Sequence, residues 1–342
     1  MGERARDRAA AVTPMSTLPN RTSPTRRTIV FGCAVACLAS APWQAPSSPP
    51  LPTQKAADAS SGATVLAPPL EGMVPIAAGT FEMGSGGVEQ KYAIELCKEE
   101  VLGAFCKNEK SPIPMNVFAF EGLPHMVTLP AFRIDRTEVT VAAYRRCVDL
   151  GECKPPGFAT GDAKHDRPEF PVSFVSWEDA RKYCAFRKAR LPTEAEWERA
   201  ARGSTGRRFP WGMLGNPKLA NHGALDAGSA IGPKTGLIYF GVADDGDGFA
   251  GLAEVGSFPS GATPEGIVDL AGNAAEWVED AWSDQYDPTP VTAPTGPASG
   301  VERVIRGGSY RQAMPMLRGA ARMFRMQSER EPDLGFRCAR DF

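Results

Sequence analysis

The sequence predicts an α+β domain in which short strands and helices are joined by long, irregular loops. Segments such as FRID at 132–135 alternate apolar and polar side chains, a pattern typical of half-buried strands. Capped helix starts occur between such segments, whereas the chain beyond Arg202 turns to Gly, Asp, Pro and Trp with few periodic stretches. With 35 Gly and 31 Pro among 342 residues, a loop-rich fold is favoured over a helical bundle.

The first elements are expected between residues 73 and 147. MVPIAAGTFEMGS (73–85) predicts two short strands joined as a hairpin at its central Ala-Gly. An insertion is expected at 86–122, and HMVTLPAFRIDRTEVT then carries the strand at 132–135. A helix is expected to begin at Thr140 and to run to Cys147.

Two further helices have N-terminal capping signals. Ser176 and Asp179 form an approximate capping box, and Thr193 and Glu196 form a full one, in which the hydroxyl and the carboxylate each satisfy a backbone N–H. One face of the second helix is apolar and is expected to pack inward; it carries Trp197, Ala200 and Ala201. The remaining periodic segments are IVDLAGNAAEWVEDAW and the closing strands in RVIRGGSY and DLGFRCARDF.

Residues 1–37 predict an export signal. Arg21, Arg26 and Arg27 precede the apolar run TIVFGCAVACLAS, which is too short to span a bilayer. The segment AVAC, ending at Cys37, resembles a lipoprotein cleavage box. The alternatives are therefore a periplasmic or outer-membrane lipoprotein with its lipid anchor at Cys37, a free secreted protein, or a buried N-terminal strand without export.

A tether is expected between the signal and the folded domain. Residues 38–72 are rich in Pro, Ala and Ser without an apolar period, so the domain is expected at 73–342. The whole chain has a net charge of −2, and loss of the basic segment 1–37 leaves a mature chain near −6. Nucleic acid is therefore not expected as a partner.

Six cysteines remain after the signal segment, and an even number in an exported chain suggests disulfides. Two pairs flank short segments and are expected as local loop staples, and the third would tie the middle of the domain to its last strand. Zinc is the competing interpretation, but paired C-x-x-C or Cys/His clusters do not occur. The predicted pairs are Cys97–Cys106, Cys147–Cys153 and Cys184–Cys338.

Eight ordered motifs between residues 73 and 342 resemble the sulfatase-modifying-factor domain, the family of the formylglycine-generating enzyme. The motifs are MVPIAAGTFEMGS, IDRTEVTVAAY, FPVSFVSWEDARKYCAF, RLPTEAEWERAARGS, FPWG, DLAGNAAEWVEDAW, VIRGGSY and LGFRCAR. The resemblance implies a variant of the C-type lectin fold with little regular secondary structure. It specifies activity much less than fold, because one fold hosts many functions.

The resemblance also implies two calcium sites. The ligands of one family site fall on the side chains of Asp269 and Glu276 and on the carbonyls of Gly272 and Ala274. Hard oxygen donors of this kind suit Ca²⁺, and the acidic Asp269 stands where the family often has Asn.

The second implied calcium site maps onto the side chains of Asn221 and Asp247 and the carbonyls of His222 and Phe249. The loop DDGDGFAG at 244–251 is not an EF-hand, because no Glu stands at loop position twelve. At both sites the alternative is that the acidic residues cap turns.

In the family's copper-dependent oxidases, two cysteines follow GGSY and bind Cu(I), which activates O₂ to convert a substrate cysteine to formylglycine. Here Gln312 stands where the first cysteine is expected, and the second has no counterpart. Met314 and Met316 are soft thioether donors, but such residues more often fill apolar gaps, so copper is not expected. Three His and no added helical domain also argue against the family's iron-dependent branch.

The resemblance places several side chains on the former active-site groove, with buried hydrogen bonding between the last strands as the alternative role. A further candidate, His165, lies in a polar loop beside Asp166 and Arg167, where solvation is the simpler expectation. No nucleophile elbow, zinc-protease motif or P-loop occurs in the sequence. The groove candidates are Arg306, Ser309, Tyr310, Gln312 and Arg318.

The favoured interpretation is an exported, calcium-stabilised domain that binds a peptide, protein or glycan ligand without copper-dependent oxidase activity. The alternative is an active family oxidase with rearranged ligands that converts a protein cysteine to formylglycine. A domain that partners a sensor or kinase at the envelope is a third hypothesis.

Overall fold

The computed structural model describes residues 72–99, 118–225 and 241–342. The expected export signal, its Cys37 and nearly all of the tether lie outside the described residues, as does Cys106. Within the described ranges, every helix is too short or too polar to cross a membrane.

Short strands and four α-helices alternate along these ranges. The strands are β1 (Met73–Ile76), β2 (Gly79–Met83), β3 (His125–Leu129), β4 (Phe132–Asp135), β5 (Ala275–Ala281), β6 (Val291–Thr292), β7 (Glu302–Arg306), β8 (Arg322–Met326), β9 (Leu334–Phe336) and β10 (Ala339–Asp341). The helices are α1 (Gly87–Glu99), α2 (Val141–Asp149), α3 (Trp177–Phe186) and α4 (Glu194–Arg202). The predicted α+β class is confirmed.

The described strands form three small sheets, with orders β1-β4-β10, β2-β3-β6 and β8-β7-β5-β9. In the four-stranded sheet, β5 runs antiparallel to β7 and parallel to β9, so that Glu276 lies opposite both Arg306 and Gly335. This sheet fixes both ends of the segment 307–321, because β7 and β8 pair along their whole length.

The strands of the predicted hairpin are present, but their predicted pairing is wrong. Met73 of β1 lies opposite Asp135 of β4, whereas β2 pairs with β3. Each strand buries its apolar side chains by pairing with a distant strand, and Ile76 and Phe81 then enter the same apolar cluster.

The helix caps are as predicted. Thr140 accepts a hydrogen bond from Ala143 N at 3.2 Å. Ser176 and Thr193 each take part in a complete capping box, with Asp179 and Glu196 as the reciprocal acceptors. These bonds satisfy N–H groups that a helix start otherwise leaves without a partner.

Two apolar clusters meet at β5. Trp277 belongs to one cluster and Val278 to the other, as expected for successive residues of a strand that is covered on both faces. The predicted Cys184–Cys338 disulfide lies in the first cluster and joins α3 to the chain between β9 and β10, and the predicted Cys147–Cys153 disulfide closes the loop after α2.

Candidate functional site

The segment after β7 folds back on itself through two glycines. Gly307 and Gly308 have φ values of 92° and 71°, a region that glycine adopts without strain. A Cβ on Gly308 would lie 2.9 Å from Leu317 Cδ1 and 3.0 Å from the Met316 carbonyl oxygen. The glycines therefore allow the closely packed turn that ends in the 3-10 helix Met314–Leu317.

Arg306 holds the far end of this segment. Its guanidinium is fully buried, and Nη2 lies 2.5 Å from Glu198 Oε2 on α4. It also donates hydrogen bonds of 2.9 to 3.2 Å to the carbonyls of Gly319, Ala320 and Ala321. Both Nη atoms therefore donate within the protein, whereas the buried Nε has no hydrogen-bond partner among the described residues.

Arg318 is likewise hydrogen-bonded within the protein. It makes a two-pronged ion pair with Glu121, at 2.6 and 2.8 Å, and donates from Nε to the Pro315 carbonyl at 2.9 Å. Both side chains of the pair are almost completely buried, which makes the pair part of the core.

The remaining groove candidates are buried as well. Ser309 donates to Asp333 Oδ2 at 2.6 Å, and Gln312 Nε2 lies 3.0 Å from Met323 Sδ. Burial raises the pKa of Tyr310 to about 12.

The structure thus places all five groove candidates in the interior of the domain. Arg306, Ser309 and Arg318 are fully buried, Gln312 is 2% exposed and Tyr310 is 9% exposed. The alternative role, buried hydrogen bonding between the last strands, is the one that the structure has.

Free thiols do not occur among the described residues, since Cys97, Cys147, Cys153, Cys184 and Cys338 are all disulfide-bonded. The described ranges also contain no cluster of three or more His, Cys, Asp or Glu side chains arranged to hold a metal. His165 is half-buried and not fully solvated: its Nδ1 lies 3.3 Å from Asp162 Oδ2 in the same loop, and its ring contacts that of Phe174.

At the first implied calcium site, the carboxylate of Glu276 is already occupied. Arg337 donates to both of its oxygens at 2.6 to 2.9 Å, and Trp197 Nε1 donates to Oε2 at 2.8 Å. The carboxyl that lies against Asp269 belongs instead to Glu138, which the sequence reasoning missed.

Glu138 and Asp269 place two buried carboxyl groups next to each other at the first implied calcium site. Burial raises the pKa of Glu138 well above its usual value, and the neighbouring Asp269 raises it further. Glu138 Oε1 accepts from Asn273 Nδ2 at 3.0 Å, but Oε2 has no hydrogen-bond donor. Arg337 is shared with Glu276, so the pair of carboxyls would be stabilised by a proton or a cation.

The second implied calcium site brings Asn221 and Asp247 together. The Asn221 amide nitrogen donates to the Gly251 carbonyl and to Asn273, which leaves the buried Oδ1 without a donor. Asp247 accepts from the backbone N–H groups of His222 and Phe249, at 2.6 and 2.9 Å. An orphaned buried oxygen next to a carboxylate fits a cation site.

A cavity of about 440 Å³ lies on another part of the domain, between α4, β5 and the loop that follows β5. Its polar lining contains Glu194 and Asp280, together with His125, Tyr286 and Arg322. Sequence reasoning assigned none of these residues to a site. The available signal was the composition of β5, where Glu276 and Asp280 stand in an otherwise largely apolar, buried strand and a carboxylate needs an explanation.

The charged groups of this cavity differ in how well they are paired. Glu194 accepts from Arg322 at 2.7 and 2.8 Å and from the Tyr286 hydroxyl at 2.9 Å. Asp280 accepts only the backbone N–H of Glu194, at 2.8 Å, from the described residues. Burial, followed by the charge of Glu194, raises the pKa of Asp280 to about 8.

Comparison with known proteins identifies the family of the chain. The family model described as the sulfatase-modifying factor enzyme 1-like domain matches residues 60–342. The chain belongs to this family. The predicted resemblance is therefore confirmed.

Relatives within the sulfatase-modifying factor family include active and inactive proteins. The formylglycine-generating enzyme of Thermomonospora curvata is 32% identical over 301 residues, covering 79% of this chain and 94% of that enzyme. The bovine formylglycine-generating enzyme is 39% identical over 179 residues, covering 51% of this chain and 45% of its own. The bovine inactive Cα-formylglycine-generating enzyme 2 is 36% identical over 187 residues, with 52% and 53% covered. The chain thus matches about half the length of these mammalian relatives.

Solved structures show the same fold. PvdO from Pseudomonas aeruginosa has a TM-score of 0.55 at 24% identity, covering 79% of this chain and 94% of that one. Treponema denticola variable protein 1 has a TM-score of 0.52 at 22% identity, with 78% and 94% covered.

The raised pKa of Asp280 predicts a pH-dependent effect on stability. Aspartates in the unfolded chain have a pKa of about 3.9, whereas Asp280 in the folded protein has a pKa of about 8. The folded state therefore binds a proton at Asp280 more tightly than the unfolded state does. The stability that this provides is complete below pH 4 and is lost as the pH rises towards 8. Asp280→Asn mimics the neutral carboxyl at every pH. The melting temperature of this variant minus that of the unsubstituted chain should therefore increase between pH 5 and pH 8.5.

Glu152→Gln, at an exposed position, is the control and should give a flat difference over the same range. A flat difference for Asp280→Asn would show that Asp280 is ionised in the folded protein throughout.

Proposed function

We propose that this protein is an exported, calcium-stabilised binding domain with the fold of the formylglycine-generating enzyme and without copper-dependent cysteine oxidation. The observation that carries the proposal is the closed turn after Gly308, where Gln312 is buried against Met323 at the position expected for a copper ligand. A peptide, protein or glycan is the expected class of partner at the envelope, with Cys37 as a lipid anchor if the signal is of the lipoprotein type.

The chemistry of copper supports this proposal. Cu(I) in such oxidases requires soft thiolate ligands, and the described cysteines are used in disulfides. Met314 and Met316 are 5% and 1% exposed, and each belongs to an apolar cluster, as expected for gap-filling thioethers. A family member whose name describes it as inactive shares 36% identity with this chain, so an inactive member is compatible with this degree of similarity.

An oxidase with rearranged ligands is the second candidate. It is favoured by the match to nearly the full length of the Thermomonospora curvata enzyme and by 32% identity over 260 residues to the hercynine oxygenase of Mycolicibacterium thermoresistibile. A direct assay separates the two candidates.

The full exported chain, supplied with Cu(I), O₂ and a sulfatase-derived cysteine peptide, should leave the peptide unchanged in mass spectrometry. The Thermomonospora curvata enzyme is the positive control under the same conditions. Metal analysis should give calcium and no stoichiometric copper or iron. Formylglycine in the peptide would contradict the proposal and establish the oxidase.

Two calcium ions would be held by oxygen donors in the loops. Asp269 and Glu138, with the carbonyls of Gly272 and Ala274, would bind the first ion and offset the two adjacent carboxylates. The second ion would satisfy the orphaned Oδ1 of Asn221 and bind Asp247 with the carbonyls of His222 and Phe249. Bound Ca²⁺ would supply positive charge that joins loops with little regular secondary structure.

Removal of calcium with a chelator should therefore lower the melting temperature, and added Ca²⁺ should restore it. Asp247→Asn keeps a side-chain acceptor for the backbone but removes a charge, so calorimetry should give an affinity at the second site reduced by about tenfold or more.

Asp244→Asn, on the same loop, is the matched control, because Asp244 caps Gly246 N and is not an expected ligand. An unchanged melting temperature after chelation would contradict the calcium sites.

A further inference from the structure

We propose that the cavity between α4, β5 and the loop 283–297 binds a small organic cation whose primary ammonium group is held by Asp280. The inference goes beyond the proposed function and does not depend on it, since a small amine is not one of the partner classes expected there. The cavity shares no residue with the turn at 307–318 or with the calcium sites.

Asp280 presents an unused acceptor to the cavity. The residue is 4% exposed, and its Oδ2 accepts the N–H of Glu194 at 2.8 Å. No described residue donates to Oδ1, although Asp280 lines the cavity. Oδ1 is accessible from the cavity and is not one of the fully buried unpaired atoms, so a ligand that brings N–H groups would give this carboxylate oxygen a donor.

The other charges of the cavity favour a cationic ligand over an anionic one. Arg322 donates to both oxygens of Glu194, and its remaining nitrogen donates to the carbonyls of Phe120 and Ser283. Its guanidinium carbon also lies 4.3 Å from the centre of the Trp282 ring. Four of the five N–H groups of Arg322 are thus used within the protein, so a carboxylate or phosphate would find only one N–H of Nη2, on a guanidinium that is already paired with Glu194.

His125 provides a second acceptor. Its Nδ1 lies 3.0 Å from the Leu123 carbonyl oxygen, which can only accept a hydrogen bond and therefore places the hydrogen on Nδ1. The unprotonated Nε2 then carries a lone pair, and His125 lines the cavity. An ammonium group has three N–H donors, which suits a cavity with two acceptors.

The rest of the wall is apolar and sets the size of the ligand. A cavity of about 440 Å³ lies in the range of roughly 300–1,000 Å³ that is usual for small-molecule sites. An amine with a compact apolar body therefore fits better than a metal ion or a polyamine. The apolar side chains of the wall are Met83, Ala195, Ala281, Val291, Pro294 and Pro297.

Binding is expected to depend on pH. The ammonium group binds the ionised form of Asp280, whose pKa is about 8 in the free protein, so affinity should rise between pH 6 and pH 8. The other titratable and charged groups that line the cavity or act on Asp280 are Glu194, Glu196, Arg322, His125, Tyr286 and Asp287.

The test uses the full chain and benzylammonium chloride as the probe, with benzyl alcohol as the neutral analogue and benzoate as the anionic one. Calorimetry or ligand-observed NMR should detect benzylammonium, and affinity for the two analogues should be at least about tenfold weaker. Asp280→Asn should weaken benzylammonium binding by roughly ten- to a hundredfold. Glu279→Gln is the matched control, because the adjacent side chain faces Arg181 and should leave binding unchanged.

A second variant keeps the test valid if Asp280→Asn folds poorly. Val291→Trp leaves Asp280 intact, places a larger side chain on the half-exposed wall of the cavity and should also abolish binding. Equal affinity for benzylammonium and benzyl alcohol, no binding of any probe, or binding unchanged in both variants would overturn the inference. If no amine binds and the peptide assay gives no formylglycine, the proposed function is retained and this inference is overturned. If an amine binds and formylglycine is formed, the proposed function is overturned and this inference is retained.

Discussion

Buried pairs between arginine and glutamate are the interaction on which this fold depends most. Each of four arginines is buried beside a glutamate from a distant part of the chain: Arg306 pairs with Glu198, Arg318 with Glu121, Arg322 with Glu194 and Arg337 with Glu276. The partners are separated by 108, 197, 128 and 61 residues. A loop-rich domain leaves many backbone carbonyls without sheet or helix partners, and a guanidinium has five donors with which to satisfy them. Arg306 alone reaches three successive carbonyls.

These pairs also explain why the turn after β7 is closed. Arg306 and Arg318 flank Met314–Leu317 and bind carboxylates on the body of the domain, so the turn is held as part of the core. Burying two charges costs free energy, but removing one partner leaves the other charge buried without compensation. Conformations that separate the two side chains are therefore strongly disfavoured. The same framework leaves Asp280 almost unpaired beside a cavity. Ligand binding is therefore expected at that cavity and not at the turn.

The local features of the fold could be predicted from sequence, whereas the long-range pairings could not. The helix caps at Ser176 and Thr193 follow from residues three positions apart, and the motif order identified the family. The hairpin at 73–85 was predicted wrongly because strand spacing does not reveal that β1 and β2 each pair with a distant strand. Glu138 was missed beside Asp269 because 131 positions of chain separate them. The ion pairs of Arg306 and Arg318 could not be predicted for the same reason, since Glu198 and Glu121 lie far from the turn in sequence.

The central claim is tested most directly by the free energy of unfolding of variants at Arg318. Arg318→Met should lower that free energy by about 3–5 kcal/mol, because it leaves Glu121 buried without a partner. The double variant Arg318→Met with Glu121→Leu should recover a large part of the loss. Arg181→Met, at an exposed arginine that pairs with Glu178 and Glu279, should cost only about 0–1 kcal/mol. A loss at Arg318 no larger than the loss at Arg181, with no recovery in the double variant, would contradict the account, because the turn would then not depend on its buried ion pair.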